Sequence, residues 1–188
     1  MDYLKRLRPA HRYRVLSTCA FFGVISLLTA PAFCAADDFA AQLVAETNVE
    51  GGLIVHVGCG DGHVTAKLRL NERYIVHGLE RDAKLVTAAR NHIRSLGIYG
   101  PVSVNEWDGA RLPFVDALVN LIVIEDSVSV PEEEFMRVLA PLGVAYVKRE
   151  GKWVAKTKAW PSNIDEWTHF LHGPDNNAVA RDQVVGPP

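Results

Sequence analysis

The chain has 188 residues, 48% hydrophobic and 22% charged, which suits one globular domain with appendages. Its formal net charge is −2. The first 36 residues hold five Lys/Arg against one acidic residue, a net +4, so the remainder holds −6 and keeps no basic stripe; this argues against nucleic acid as a partner. Of the three cysteines, Cys19 and Cys34 lie in that leader and Cys59 stands alone beyond it, so an internal disulfide is excluded there.

Lys5, Arg6, Arg8, Arg12 and Arg14 form a basic head, and residues 15–36 carry no charge. With the small residues Cys34-Ala35-Ala36 before Asp37-Asp38, residues 1–36 read as a secretory signal peptide. Left uncut, the same run is long enough to anchor the chain in a bilayer. Basic residues stay on the cytoplasmic side, so either form exports the remainder of the chain, as a periplasmic, secreted or outward-facing anchored domain. Membrane contact is expected through this segment alone. Bulky Phe33 disfavours lipidation of Cys34, and without an Arg-Arg pair the chain is expected to cross unfolded.

Residues 37–46 place Phe39, Leu43 and Val44 at helical spacing behind acidic residues. Gly51-Gly52 ends that helix and releases a first strand over 53–57, apolar except for His56 and suited to burial on both faces. The turn Gly58-Cys59-Gly60-Asp61-Gly62 comes next, then a helix from Gly62 to about Arg69, whose first N–H groups point back at the turn. A second strand over 74–79 leads into Glu80-Arg81-Asp82, where Asp82 caps a helix to Ser95 that Gly97 closes. The third strand spans 102–106 and the fourth 119–124. Pro131 and three glutamates open a short helix through Leu139. A fifth strand over 143–148 turns at 149–152, and 153–158 pairs back as a hairpin. Alternation at this spacing predicts an α/β domain over 37–158, a doubly wound, mostly parallel sheet with helices on both faces. Residues 159–188 lose the pattern and read as a linker or the start of another domain.

The G-x-G-x-G spacing of the turn differs from the dinucleotide fingerprint, whose third glycine would fall on His63. Glu80 ends the neighbouring strand, where an acidic side chain takes both hydroxyls of a ribose. Asp108-Gly109 come after the third strand, where a carboxylate accepts from an adenine amino group and a backbone N–H meets a ring nitrogen. Three ligand-facing positions at three successive strand ends point to a nucleoside-bearing ligand.

Val55-His56-Val57-Gly58-Cys59-Gly60-Asp61-Gly62, Gly78-Leu79-Glu80, Asp108-Gly109-Ala110-Arg111-Leu112-Pro113-Phe114 and Met136-Arg137-Val138-Leu139-Ala140-Pro141-Leu142-Gly143 resemble the successive motifs of Rossmann-like (class I) S-adenosylmethionine-dependent methyltransferases. The resemblance implies a Rossmann-like sheet of strand order 3-2-1-4-5, shortened at its C-terminal end because the family's last two strands have no clear counterpart. It also implies S-adenosylmethionine as cofactor, with His56, Gly58, Cys59, Gly60 and Gly62 lining the methionine and ribose, Glu80 on the ribose hydroxyls, and Asp108 and Gly109 at the adenine. The tail from Trp160-Pro161 onward resembles segments that link an exported methyltransferase-like domain to a pyrroloquinoline-quinone-binding-like β-propeller, a partner domain in cis.

The chain departs from the family pattern at His56, where an acidic residue is usual, at Asn120, where an aspartate is common, and at Leu142, which replaces a glycine. Candidate bases are Glu125 and Asp126, at the end of the fourth strand where acceptors bind. His169 and His172, with Asp165 and Asp175, have helical metal-ligand spacing, but the surrounding linker offers no second shell and no metal is expected. Three functions are consistent with this reading: methyl transfer to an unknown acceptor; an exported non-catalytic structural or interaction module with this fold, since the cofactor is made in the cytoplasm; or a nicotinamide (NAD)-dependent oxidoreductase, which the glycine spacing and Asp108 disfavour.

Overall fold

The computed structural model describes residues 34–175 and 177–183. The signal-peptide or anchor segment therefore lies outside the described residues, except for its last three positions. The elements run α1 (Cys34–Thr47), β1 (Gly52–Val57), α2 (His63–Lys67), β2 (Tyr74–Glu80), α3 (Ala83–Ser95), β3 (Val102–Glu106), β4 (Val119–Ile124), α4 (Glu132–Val138), β5 (Leu139–Arg149) and β6 (Lys152–Thr157).

One sheet holds all six strands in the order β3-β2-β1-β4-β5-β6. The first five are mutually parallel, and β6 returns antiparallel to β5. This is the expected doubly wound sheet of order 3-2-1-4-5, extended by the hairpin strand. Its central strands, β1 and β4, are apolar because both faces are covered. On one face Ile54, Val76, Val104 and Leu121 pack with Leu43, Ala66, Val86, Ala89 and Ile93 of α1, α2 and α3. On the other, Val55, Val57, Leu79 and Ile122 pack with Phe135 and Val138 of α4 and with Trp107 and Leu112 of the connection after β3.

Local chemistry explains the ends of the elements. The Asp82 side chain accepts from the Lys84 N–H at 2.8 Å and caps α3. Gly97, at φ 71°, closes it in the left-handed conformation that glycine adopts without strain. α2 is shorter than expected and has no side-chain cap. A single turn suffices to bury Thr65 and Ala66 before the chain leaves for β2.

β5 begins four residues before the expected Gly143, immediately after α4. Val119 pairs with Leu139 but Leu121 pairs with Val144, so residues 140–143 bulge out of the ladder. Leu142 sits in that bulge at φ 62°, holding the left-handed backbone that a glycine would adopt freely, with its side chain exposed. Gly143 has no such latitude: a Cβ there would stand 2.8 Å from the Ala140 carbonyl oxygen and 2.9 Å from that of Val119.

Past β6 the described residues form neither helix nor strand. His169 and His172 face each other across a bridge in a tight turn, not along a helix. His172 Nε2 pairs with Asp165 Oδ2 at 2.5 Å, and the same carboxylate oxygen accepts from the Arg181 N–H. Asp165 and His172 thus clasp the tail to itself. Among the described residues no cluster of three or more His, Cys, Asp or Glu is arranged to hold a metal.

Candidate functional site

In an open doubly wound sheet, ligands sit outside the carboxyl ends of the strands, where the strand order reverses. Here that point lies between β1 and β4, neighbours whose connections leave in opposite directions. Gly58, Gly60 and Gly62 come after β1; Glu80 ends β2, Asp108 lies just past β3 and Glu125 just past β4.

The three turn glycines have different surroundings. A Cβ on Gly58 would lie 2.8 Å from the Val128 side chain and 3.3 Å from the Glu125 Cβ, and one on Gly62 would lie 2.8 Å from the Ala89 Cβ of α3. Both are packing glycines. Gly60, at φ 55°, faces open space with nothing within 4 Å of a Cβ. Among the three it is the position where a ligand can approach bare backbone.

Glu80 is nearly buried. Its Oε2 accepts from the Gly60 N–H at 2.7 Å, and its Oε1 accepts from the Arg81 and Asp82 N–H groups at 2.8 and 3.4 Å. The carboxylate at the end of β2 therefore holds the glycine loop at the end of β1. Cys59 turns the other way: its thiol is buried against Gly78 in the sheet, and burial with the nearby Glu80 charge pushes its pKa up to about 12. Only its backbone is left to meet a ligand.

Asp108 accepts from the Ala110 N–H at 2.9 Å in a local turn. Beside it a concavity of about 470 Å³ is lined by Glu106, Trp107, Asp108, Arg111 and Pro113. Arg81, which the sequence did not single out, reaches across this edge. Its Nη2 donates to the Gly109 carbonyl at 3.3 Å and its guanidinium lies 5.5 Å from the Trp107 ring. The guanidinium fills the space a Cβ on Gly109 would need.

His56 points inward to the sheet face beneath α2. It is 2% exposed, its Nδ1 lies 2.9 Å from Thr65 Oγ1, and its Nε2 has no hydrogen-bond partner. The nearest carboxylate oxygen to that orphan nitrogen is Glu125 Oε1, at 3.8 Å. Lys148, on β5, places Nζ 3.1 Å from Glu125 Oε2. The imidazole and the Lys148 ammonium hold the Glu125 carboxyl below its ordinary pKa, which makes it a steady anion and a weak base at neutral pH. Asp126 is spent elsewhere, accepting from the Glu150 and Gly151 N–H groups of the β5–β6 turn.

Asn120 stands at the opposite edge of the sheet, where its Oδ1 accepts from the Leu53 N–H at 3.0 Å. That departure from the family pattern bears on the entry to β1 and not on the ligand edge. Sequence reasoning also passed over Arg137. Its guanidinium takes both oxygens of Glu134 and donates to the Leu112 and Phe114 carbonyls, binding the connection after β3 to α4. Only the pairing of Glu134 with Arg137 at i, i+3 hinted at it.

Strand order and loop positions define a Rossmann-like methyltransferase fold. Residues 54–143 match the family model of a methyltransferase domain. The chain is similar to the structure of a putative S-adenosyl-L-methionine-dependent methyltransferase from Methanococcus maripaludis, at 19% identity and TM-score 0.55, covering 60% of this chain and 54% of that one. It is similar to the [4+2]-cyclase SpnF at 25% identity and TM-score 0.54, covering 60% and 44%. A third similar structure is geranyl diphosphate C-methyltransferase from Streptomyces coelicolor A3(2), in complex with Mg2+, geranyl diphosphate and S-adenosyl-L-homocysteine, at 18% identity and TM-score 0.52, covering 59% and 45%. The chain thus spans about half the length of these three. No curated protein sequence matches it significantly.

Proposed function

We propose that this domain binds S-adenosylmethionine at the carboxyl edge of β1–β3 and transfers its methyl group to an acceptor, and that it does so as an exported or membrane-anchored domain joined to a β-propeller. The observation that carries the cofactor reading is the union of Gly60 and Glu80. A glycine with open space above it is fixed by a nearly buried carboxylate, in a loop inside the matched residues 54–143. The residues present suit such a ligand. Gly60 gives it bare backbone, Glu80 keeps one lone-pair site for a ribose hydroxyl beside the three N–H groups it accepts, and Asp108 stands beside a concavity for the base.

When bound, S-adenosylmethionine supplies an electrophilic methyl group on a sulfonium. The protein's share is to fix the nucleoside and align the approach of a nucleophile, and positioning of this kind supplies much of a transfer barrier. Glu125 stays ionised beside Gly58, and Arg81 and Trp107 border the base site. The fold is compatible with other chemistry, since a [4+2]-cyclase is similar to it, so the ligand and not the fold decides the reading.

The test is calorimetric titration of the full chain with S-adenosylmethionine, S-adenosylhomocysteine and NAD. Saturable binding of the first two, with none of the third, supports transfer. Binding of none would leave the exported non-catalytic module, and binding of NAD alone the oxidoreductase.

A further inference from the structure

His56, Glu125 and Lys148 lie side by side on one sheet face. His56 lies on β1, Glu125 just past the end of β4 and Lys148 on β5, three neighbouring strands, with Thr65 of α2 behind His56. The register sets Val57 opposite Ile124 and Ile124 opposite Val147, so the next residues, Gly58, Glu125 and Lys148, meet at the carboxyl edge. This is the point where the strand order reverses, and where ligands bind in open sheets of this kind.

The carboxylate there is incompletely used. Glu125 Oε2 takes the Lys148 ammonium at 3.1 Å, whereas Oε1 faces His56 Nε2 at 3.8 Å, beyond hydrogen-bond length. That imidazole nitrogen is itself buried and unpartnered. A carboxylate accepts at about four lone-pair sites. By contrast the other loop carboxylate, Glu80, already receives three backbone N–H groups. Glu125 is thus an ionised, partly exposed anion with acceptor capacity left, set beside the glycine loop, and the chain's own cation sits on it.

Resting on the functional reading above, we infer that Glu125 is the specificity-determining residue for a cationic amino group on the ligand, and that Lys148 is its internal competitor. The ligand's ammonium takes the place the lysine ammonium holds, or shares the carboxylate with it. The site then selects nucleoside thioethers that carry an amino-acid arm over those that do not.

The experiment compares two probes on the full chain by calorimetry: S-adenosylhomocysteine, which has the ammonium, and 5′-methylthioadenosine, which shares the nucleoside and sulfur but lacks it. Glu125→Gln should weaken S-adenosylhomocysteine binding at least tenfold and leave 5′-methylthioadenosine unchanged. Retained binding of the second probe also shows that the variant is folded. Lys148→Met should act in the opposite sense, tightening the first probe several-fold and not the second. If both probes bind the wild-type chain but neither substitution changes their affinity ratio, Glu125 does not read the ammonium and this inference is wrong. If the wild-type chain binds neither probe, the functional reading itself falls and the inference falls with it.

Discussion

Glu80 Oε2 accepts the Gly60 N–H at 2.7 Å, so the end of β2 and the loop after β1 are tied by one charge-assisted bond. Removing that carboxylate therefore acts twice. Glu80→Ala should destabilise the domain by about 1.5–3 kcal/mol, the usual range for a hydrogen bond to a charged group. It should also weaken S-adenosylhomocysteine binding roughly ten- to a hundred-fold. Urea denaturation and titration on the same variant check both. A loss of affinity with unchanged stability would mean that Gly60 is held by the rest of the loop.

Gly60 and Gly62 should separate ligand space from packing space. Both have left-handed backbones, where a Cβ costs about 1–2 kcal/mol. Gly60→Ala adds no contact, whereas Gly62→Ala drives its methyl into Ala89 and adds roughly 1–3 kcal/mol of overpacking. Gly62→Ala should therefore unfold at lower denaturant. Gly60→Val should keep more stability yet lose S-adenosylhomocysteine binding, as seen by titration of the folded protein.

Leu142→Gly should stabilise the chain. The exposed leucine holds φ 62° at the bulge entering β5, and glycine removes a strain of about 1–2 kcal/mol while adding unfolded-state freedom of about 0.5–1 kcal/mol. A net gain of about 1 kcal/mol in denaturation is the expected result. A loss would show that the leucine side chain contributes packing that outweighs the strain.

Two titrations set the pH limits. Glu125 and Glu134 both have pKa values lowered in the fold, Glu125 by His56 and then Lys148, Glu134 chiefly by Arg137. Their contribution is full above the ordinary carboxylate value of 4.5 and is lost as pH falls through the lowered folded values. Cys59 works from the alkaline side. Its thiol is raised from 9.0 to about 12, so the stability it lends is intact below pH 9 and declines as pH climbs toward 12. At pH 8 the thiol should react with iodoacetamide only when the chain is unfolded. Rapid alkylation of the native protein would show the thiol to be accessible.

The parallel sheet was legible because its strands are short apolar runs closed by glycine or acidic residues and alternate with helices, whereas the strand order came with the family resemblance. Helix ends were legible where a side chain caps them, as at Asp82, and not at α2, which ends for want of length. β5 was placed late because a strand that restarts after a bulge shows no break in pattern at Leu139. The glycine loop, Glu80 and Asp108 were visible as residue types at strand ends. Their bonding partners were not, because the Glu80–Gly60 bond and the inward turn of Cys59 depend on side-chain direction. His56 looked like a misplaced ligand residue. The register instead puts it on the α2 face, where its neighbours Thr65 and Glu125 are nine and 69 positions away. Lys148 and Arg81 were missed because single basic residues at strand ends resemble ordinary solvated charges.

The antiparallel return of β6 also determines how the sheet ends. Among the described residues β6 pairs only with β5, so on its outer side its backbone groups form a template on which a second chain could add a strand. Lys152 and Lys156 lie on that strand, both exposed. Edge lysines oppose such growth, here with Lys156 paired to Glu132 and Lys152 bearing the charge an added strand would have to desolvate. Replacing both with threonine would keep the strand pattern and remove that charge, turning a self-limiting sheet into one prone to fibrillar assembly.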